Sequence, residues 1–492
     1  MAPQSGASIR AGKVVKSAMQ ASIEFAGLAS DSREVKPGYL FAALPGTKAN
    51  GAAFVKDAVA RGAIAVLGRP DVKAEAEAHG VPFIAADNPR LALSRQAAAF
   101  FKAQPRIVAA VTGTKGKSSI VAFVREIWTT LGNPAASLGT VGVVTPKGEI
   151  ALRHTTPDPI EIHRLLAQLK QDGIDHLALE ASSHGLDQYR LDGVEIAAAG
   201  FTNITRDHMD YHADFEHYLA AKLRLFSEVV RVGGIAVINN DAAHADRFLA
   251  AAKARGLKIL TVGESGETIR LESRQGRIDS QMLKLVHEGR SYTVALPLVG
   301  SFQASNALVA AGLVIGLGEE PTKVFAALEH LNGAPGRLEK VAYAACGAPI
   351  YVDYAHTPDS LEKVLTAIRP HVAGRLHVIF GCGGDRDKGK RPLMGAAAAK
   401  FADVVIITDD NPRSEDAASI RKEALVGALG AREIGERGEA IRSGIAALQA
   451  GDILIVAGKG HETGQIVGSE VRPFSDRDEA VKAAKSLGGR AA

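Results

Sequence analysis

Ile107-Val108-Ala109-Ala110-Val111-Thr112-Gly113-Thr114-Lys115-Gly116-Lys117-Ser118-Ser119 is the stretch that decides the fold of this chain. Residues 107–111 form a short apolar run of the kind that makes a strand buried on both faces. Residues 112–116 carry two glycines and read as a loop, and 118–131 read as the helix that follows. Strand, glycine loop and helix in that order form a cradle for a polyphosphate. The glycines let backbone N–H groups approach the anion, Lys117 neutralises it, and Ser118 offers a hydroxyl to a magnesium ion. The full phosphate-loop pattern lacks its first glycine, because Val111 stands in that place. A plain glycine turn with surface lysines is the competing reading, and the flanking strand and helix weigh against it.

Further apolar runs at 177–179, 236–238, 378–380, 404–407 and 453–457 alternate with segments of helical periodicity. That alternation predicts parallel sheets covered by helices, an α/β fold. Several runs end in Gly, Asp, Glu or Thr, as the ligand-facing carboxyl ends of parallel strands commonly do. A chain of 492 residues has room for about three domains of roughly 150 residues. Gln104-Pro105 precedes the phosphate-loop strand, and Gly333-Ala334-Pro335-Gly336-Arg337 is rich in turn formers. The expected division is therefore 1–104, 105–336 and 337–492.

Composition removes several function classes. Hydrophobic content of 46% and charged content of 23% are those of a globular protein. The 58 basic and 54 acidic residues leave a formal charge of only +4, with no lysine-rich run and no aromatic-basic interleaving. Nucleic acid is thus not an expected partner, whereas small anionic substrates fit. Cys346 and Cys382 make neither a disulfide framework nor a zinc spacing; they indicate a reducing compartment and read as small buried residues. Residues 1–20 lack an apolar core of signal-peptide length, and nowhere do about 18 apolar residues run together. A cytoplasmic protein without a transmembrane segment is expected, as a monomer.

Other motifs cluster around the phosphate loop in the sequence. Glu180 follows the run at 177–179 and leads into Ser182-Ser183-His184, where a carboxylate can reach a magnesium ion at the neighbouring loop. Next come Phe201-Thr202-Asn203-Ile204-Thr205-Arg206-Asp207-His208-Met209-Asp210-Tyr211-His212 and, in a helical stretch, Ala220-Ala221-Lys222. His208 and His212 have a spacing used for zinc. Met209 stands where a zinc protease needs Glu, and no third ligand is evident, so zinc is rejected. A lone histidine is more often structural than a ligand.

Taken together and in this order, the motifs resemble the Mur ligase family of ATP-dependent amide-forming enzymes in peptidoglycan synthesis, over nearly the whole chain. The resemblance implies three domains. An N-terminal domain binds a UDP-N-acetylmuramoyl substrate, a central phosphate-loop ATPase domain has a parallel sheet, and a Rossmann-like C-terminal domain binds the amino acid. It implies that Glu180 and His208 are magnesium ligands beside Ser118. It also implies that Lys222 is carbamylated by carbon dioxide and holds a second magnesium. An ammonium beside two cations would be repelled, whereas a carbamate reverses the sign. ATP contacts are expected at Gly113, Thr114, Lys115, Gly116, Lys117, Ser118 and Ser119. Asn306, in Ser305-Asn306, is expected on the adenosine side, Arg337 at a phosphate, and Asp353, in Asp353-Tyr354-Ala355-His356-Thr357-Pro358, at the ribose. From the residues alone Asn306 reads equally as a helix cap and Arg337 as a solvated surface charge. The family has Asn and paired Thr where this chain has Lys115 and Ser118-Ser119. Serine keeps the hydroxyl, which leaves the role of Lys115 open.

The family resemblance extends to the substrate positions. Ser32, in Asp31-Ser32-Arg33 ahead of Gly38-Tyr39-Leu40-Phe41, corresponds to a uridine diphosphate contact; alone it reads as a turn before a buried strand. Thr155, Thr156, Ser182, Gln188 and Arg190 correspond to positions that hold the muramoyl dipeptide. In Gly381-Cys382-Gly383-Gly384-Asp385-Arg386 the place of a third fingerprint glycine is taken by Arg386, so a dinucleotide site is rejected. Arg386, Asp410, Asn411, Arg413, Gly458 and Glu462 are implied to line a pocket for meso-diaminopimelate. That amino acid is lysine with a further carboxylate at its far end, which an arginine fork can select, while Glu462 takes the distal ammonium. Asp410-Asn411-Pro412-Arg413 is uninformative alone, because Asp87-Asn88-Pro89-Arg90 repeats it where a turn before a helix is expected. The implied reaction is phosphorylation by ATP of the D-glutamate carboxylate of UDP-N-acetylmuramoyl-L-alanyl-D-glutamate, then attack by the amine, with Lys117, His208, Lys222 and Arg337 as the catalytic group. The alternatives are a lysine-adding ligase of the same step, a folylpolyglutamate synthetase, and a nucleotide-dependent switch.

Overall fold

The structure is a computed structural model that describes residues 24–46, 50–152 and 154–492. The reading of residues 1–20 lies outside the described residues. The chain forms two compact units, Met1–Leu93 and Ser94–Ala492. Among the described residues no helix is long and apolar enough to cross a membrane.

In the first unit the strands Gly27–Ala29, Tyr39–Ala43, Ala63–Gly68 and Phe83–Ala85 make a parallel sheet in sequence order. Phe41, Val55, Val66 and Val72 pack into its core.

The second unit contains an eleven-stranded sheet and a seven-stranded sheet. In the larger sheet the strands Lys258–Gly263, Ile235–Asn239, Ala198–Phe201, Ile107–Thr112, His176–Glu180 and Ala135–Gly139 are neighbours in that order and all parallel. Apolar clusters cover both faces, which explains why these strands read as continuous apolar runs. The sheet is not parallel throughout, contrary to expectation. Hairpins built from Gln281–His287 with Arg290–Leu296 and from Gly142–Thr145 with Gly148–Ile150 extend its two edges in antiparallel fashion. Edge hairpins are solvated on one side, so they alternate polar and apolar residues and give no continuous run.

The helix Lys117–Thr130 follows the phosphate loop because Gly116, at φ 89°, turns the chain into it. Its apolar side chains Ile120, Phe123, Val124, Ile127 and Trp128 recur at helical spacing and are all buried. Gly132, at φ 84°, follows its last turn. Truncating Trp128 to Ala should cost ~3–5 kcal/mol.

The seven-stranded sheet has a parallel centre of Arg432–Glu433, Val404–Ile407, Leu376–Phe380, Ile453–Ala457 and Pro349–Asp353. Glu339–Tyr343 and Arg490–Ala491 add antiparallel strands at one edge. The predicted runs at 404–407 and 453–457 match their strands end for end. Cys382 is buried as expected, but Cys346 is exposed, because it sits in the turn between Glu339–Tyr343 and Pro349–Asp353.

Candidate active site

The strand order of the larger sheet gathers the candidate nucleotide residues at one end. Ile107–Thr112 lies between Ala198–Phe201 and His176–Glu180, so their carboxyl ends present the phosphate loop, Thr202-Asn203 and Glu180 side by side, as expected of ligand-facing strand ends. The loop is pinned by its neighbour. Thr114 N donates to the carbonyl of Asn203 at 2.8 Å, Lys115 N to Asn203 Oδ1 at 3.1 Å, and Thr202 Oγ1 to the carbonyl of Lys115 at 2.6 Å. Thr114 Oγ1 accepts from Thr205 N at 3.0 Å and pairs with the Tyr218 hydroxyl at 2.9 Å. A side chain at Gly113 would put its Cβ 2.0 Å from Thr202 Oγ1, and one at Gly116 would lie 2.5 Å from Asn306 Oδ1. Both glycines are therefore required by close approach as well as by φ. Lys115, whose role was open, pairs at 2.8 Å with the exposed Asp359.

Two lysines converge on one acceptor. Lys117 Nζ donates to the carbonyls of Gly113 at 2.8 Å and Thr114 at 3.0 Å, and Lys222 Nζ donates to Gly113 at 2.8 Å. Burial lowers the pKa of Lys117, Glu180 opposes this, Arg337 adds to it, and Asp207 opposes it again. Lys222 is 1% exposed. Its pKa is held well below the usual lysine value by burial, then by the charge of Lys117, against a smaller pull from Asp207. The neutral amine thereby favoured is the form that reacts with carbon dioxide.

Glu180 is buried, and its carboxylate oxygens accept from Thr140 N at 2.8 Å and Thr140 Oγ1 at 3.3 Å. Glu180 and Ser118 line one cavity of about 50 Å³. A carboxylate and a hydroxyl fit a magnesium ion, which takes its other ligands from phosphates and water. His208 is exposed at φ 56°, with its ring 5.2 Å from that of His184. His212 is buried among His184, His217 and Tyr218, and burial takes its pKa down to about 4. Among the described residues no group of three or more His, Cys, Asp or Glu side chains could hold a metal.

The adenosine-side residues are placed as follows. Asn306 lies inside the helix Ser301–Gly316, buried, with its Nδ2 donating to Gln303 Oε1 at 3.1 Å; it does not cap that helix. Arg337 is not a solvated charge: it is half-buried, its guanidinium lies 4.7 Å over the Tyr354 ring, and its Nε has no hydrogen-bond partner among the described residues. Gln303 Nε2 donates to the carbonyl of Arg337 at 3.2 Å. Asp353 is buried and accepts from Leu338 N at 2.7 Å and Ala355 N at 2.8 Å. Burial raises its pKa against Arg337 and those two amides. Each carboxylate oxygen keeps a lone pair for a further donor. A side chain at Gly336 would lie 2.2 Å from His461 N, so the Arg337 segment packs backbone to backbone on the stretch 458–462.

The muramoyl-side candidates form one hydrogen-bonded group. Thr155 Oγ1 pairs with Thr140 Oγ1 at 3.1 Å, and Thr156 Oγ1 donates to the carbonyl of Glu180 at 2.8 Å. Arg190 donates to the carbonyl of Thr156 at 2.5 Å and to Gln188 Oε1 at 2.8 Å. Ser182 Oγ accepts from Gly185 N at 3.0 Å, capping the helix Ser183–Asp187. In the first unit Ser32 is buried in a short 3₁₀ turn before Tyr39–Ala43, and its hydroxyl holds the Asp57 carboxyl below the usual range.

The amino-acid candidates stand at the carboxyl ends of three adjacent parallel strands, Leu376–Phe380, Val404–Ile407 and Ile453–Ala457. Asn411 Nδ2 donates to Glu462 Oε2 at 3.1 Å. Arg413, at φ 52°, donates to the carbonyl of Gly384 at 2.8 Å. A side chain at Gly383 would lie 2.9 Å from Arg413 Nη1 and 3.9 Å from Arg386 Cγ, and one at Gly458 would lie 3.6 Å from Asp410 Oδ2. Arg386 is exposed and donates to its neighbour's carbonyl, Asp385, at 3.1 Å. Three buried cations that the sequence reading passed over hold this cluster. Arg391 bonds Glu415 at 2.9 Å and Glu423 at 2.9 Å. Arg437 bonds Asp476 at 2.6 Å and the carbonyl of Ala457 at 2.9 Å. Lys459 bonds Asn411 Oδ1 at 3.0 Å.

A phosphate loop on one sheet, with clustered carboxylates and arginines at the strand ends of the other, marks a nucleotide-dependent enzyme. Three family profiles match in succession: "Mur ligase family, catalytic domain" at residues 24–101, "Mur ligase middle domain" at 111–314 and "Mur ligase, glutamate ligase domain" at 336–460. The chain belongs to the Mur ligase family of ATP-dependent amide-forming enzymes, with its three-domain α/β architecture. It is 57% identical over 470 residues, 94% of this chain and 95% of the relative, to the UDP-N-acetylmuramoyl-L-alanyl-D-glutamate--2,6-diaminopimelate ligase of Bradyrhizobium diazoefficiens. Identity is 52% over 467 residues, 95% and 94% of the two chains, to the protein of that name from Agrobacterium fabrum. A solved structure of a ligase of the same name aligns over 94% of this chain and 95% of its own, with 35% identity and a TM-score of 0.73.

Proposed function

We propose that this chain is the ligase that adds meso-diaminopimelate to UDP-N-acetylmuramoyl-L-alanyl-D-glutamate, with cleavage of ATP to ADP and phosphate coupled to amide formation, in the cytoplasmic synthesis of peptidoglycan precursors. The observation that carries the reading is the joining of Asn411 to Glu462 beside Arg413 and Asp410, in a chain so similar to ligases named for that reaction. The amino acid brings two carboxylates and two ammonium groups. Glu462 and Asp410 suit an ammonium; Arg413 and Arg386 suit the distal carboxylate.

The nucleotide's phosphates would lie on the loop Gly113 to Ser119, where Lys117 exchanges its bonds to Gly113 and Thr114 for phosphate oxygens. Arg337, with its unpartnered Nε, supplies a second cation to the charge that develops. Magnesium, when bound, neutralises phosphate oxygens; Ser118 and Glu180 would hold one ion, and His208 with a carbamylated Lys222 another. Thr155, Thr156, Ser182, Gln188 and Arg190 would orient the muramoyl dipeptide, and Ser32 its uridine diphosphate. The D-glutamate carboxylate takes the terminal phosphoryl group, the amine attacks the resulting acyl phosphate, and phosphate leaves. The proposed division of labour follows residues 1–104, 105–336 and 337–492.

Phosphate release by the purified protein with ATP, magnesium and the dipeptide nucleotide tests the reading, comparing meso-diaminopimelate with L-lysine. Release with diaminopimelate is expected, and lysine should be poorer by ~10⁴-fold, as in sites left with an unpaired polar group. Preference for lysine would overturn the pocket, and release with neither would overturn the function. Replacing Lys222 by Ala should abolish turnover, with partial rescue by a small carboxylic acid. Wild-type rates in Lys222→Ala would end the carbamate role.

A further inference from the structure

Lys459 has no part in the reading above, yet it is the only residue that touches three of the proposed pocket side chains at once among the described residues. It is 0% exposed. Its Nζ donates to Asn411 Oδ1 at 3.0 Å, Glu462 Oε2 at 3.3 Å and Asp410 Oδ1 at 3.4 Å. A buried ammonium is tolerated only when paired and hydrogen-bonded, and here the pairing consists of the groups that would receive the amino acid. The other buried cations nearby leave the local charge unchanged: Arg437 is committed to Asp476 through bonds of 2.6 and 2.7 Å, and Arg391 together with Lys388 offsets Glu415 and Glu423.

The pocket side chains are two arginines, Arg386 and Arg413, against two carboxylates, Asp410 and Glu462, and so balance. Lys459 adds one positive charge, bonded to both of the carboxylates. A diaminopimelate zwitterion carries no net charge, whereas lysine on the same skeleton carries one positive charge. Resting on the diaminopimelate reading, we propose that Lys459 is a positioning and specificity residue: it fixes Asp410, Asn411 and Glu462 in place and gives the pocket a net positive charge that disfavours an amino acid lacking the distal carboxylate. Selection then combines attraction at Arg413 with repulsion from Lys459, the two means by which sites discriminate between like substrates.

The test is kcat/KM for meso-diaminopimelate and for L-lysine in Lys459→Met and Lys459→Arg, with ADP affinity as a check on the folded nucleotide site. In Lys459→Met the diaminopimelate-to-lysine ratio should fall by ~10-fold or more, on the scale of one unit charge at close range in a protein interior. KM for ATP should stay unchanged, and Lys459→Arg should retain most of the wild-type ratio. A purely structural lysine would lower both substrates alike, and an unchanged ratio overturns the proposal. If Lys459→Met fails to bind ADP, Asn411→Asp decides, since it cancels the charge of Lys459 with the lysine in place and must lower the ratio too. Wild-type turnover separates the two layers. Use of diaminopimelate with an unmoved ratio in the variants removes only the role of Lys459, whereas a wild-type preference for lysine removes the underlying reading as well.

Discussion

Asp-Asn-Pro-Arg occurs at 87–90 and at 410–413, and the two copies are built differently. In the first, Asn88 Oδ1 accepts from Leu91 N at 3.1 Å, Pro89 opens the helix Pro89–Phe101, and Arg90 donates to the carbonyl of Pro45 at 2.6 Å. In the second, Asn411 Oδ1 accepts from Lys459 at 3.0 Å and from Ile466 N at 2.9 Å, and Arg413 takes a left-handed φ of 52°. Proline restricts its own φ equally in both. The difference arises from what reaches the asparagine amide. In the first copy it is the amide of the next helical turn; in the second it is a buried lysine and a strand more than forty residues away in sequence. A motif of four residues thus acquires its role from long-range partners.

The largest expected break in the comparison is at the arginines. Arg413→Ala should lower kcat/KM with diaminopimelate by ~10³-fold or more, as in sites that lose a polar group made for the substrate, whereas Arg90→Ala should leave turnover unchanged. Steady-state phosphate release measures both, and equal effects would dissolve the distinction.

The asparagines sharpen it at the level of stability. Asn411→Ala strands buried partners and should cost ~1–3 kcal/mol together with activity. Asn88→Ala removes a helix cap, should cost about 1 kcal/mol, and should spare activity; urea unfolding with parallel assays tests the pair.

The smallest effect concerns acid. Glu415, bonded first to Arg391 and then to Asp385 N and Lys388, has its pKa lowered to about 2. Its ionised form is favoured by the fold, so the stabilisation is present above the ordinary value of 4.5 and is lost as pH falls toward about 2. Glu415→Gln should lower stability at neutral pH and flatten the acid limb between those values. An unchanged acid limb would deny Glu415 a role in holding the 410–413 loop.

The fold was legible where strands are buried on both faces, because such strands are apolar throughout; 404–407 and 453–457 are the clearest cases. The edge hairpins were not, since their alternation is brief and interrupted by turns. In the site, the phosphate loop was legible because glycine, lysine and hydroxyl are needed there in a fixed local order. Glu180 was legible as a residue at a strand end, and Asn203 only as part of a quoted motif. Arg391, Arg437 and Lys459 were passed over because an isolated cation looks the same in sequence whether it faces water or a buried carboxylate. Arg391 and Lys459 both lay close in sequence to named pocket residues, Arg391 five residues after Arg386 and Lys459 between Gly458 and Glu462. Gln303 gave no signal, because its bond to the carbonyl of Arg337 depends on the turn at 333–338.

The shared carbonyl of Gly113 has a consequence for which anions the loop admits. With two lysine amino groups each at 2.8 Å, its acceptor capacity is filled. A lone phosphate or sulfate must detach Lys117 from two carbonyls, each bond worth about 1 kcal/mol net, and offers few contacts in return. A triphosphate meets the loop amides and the lysine together and recovers that cost several times over. A chain of phosphates is therefore expected to displace Lys117 from these carbonyls more readily than a simple anion does.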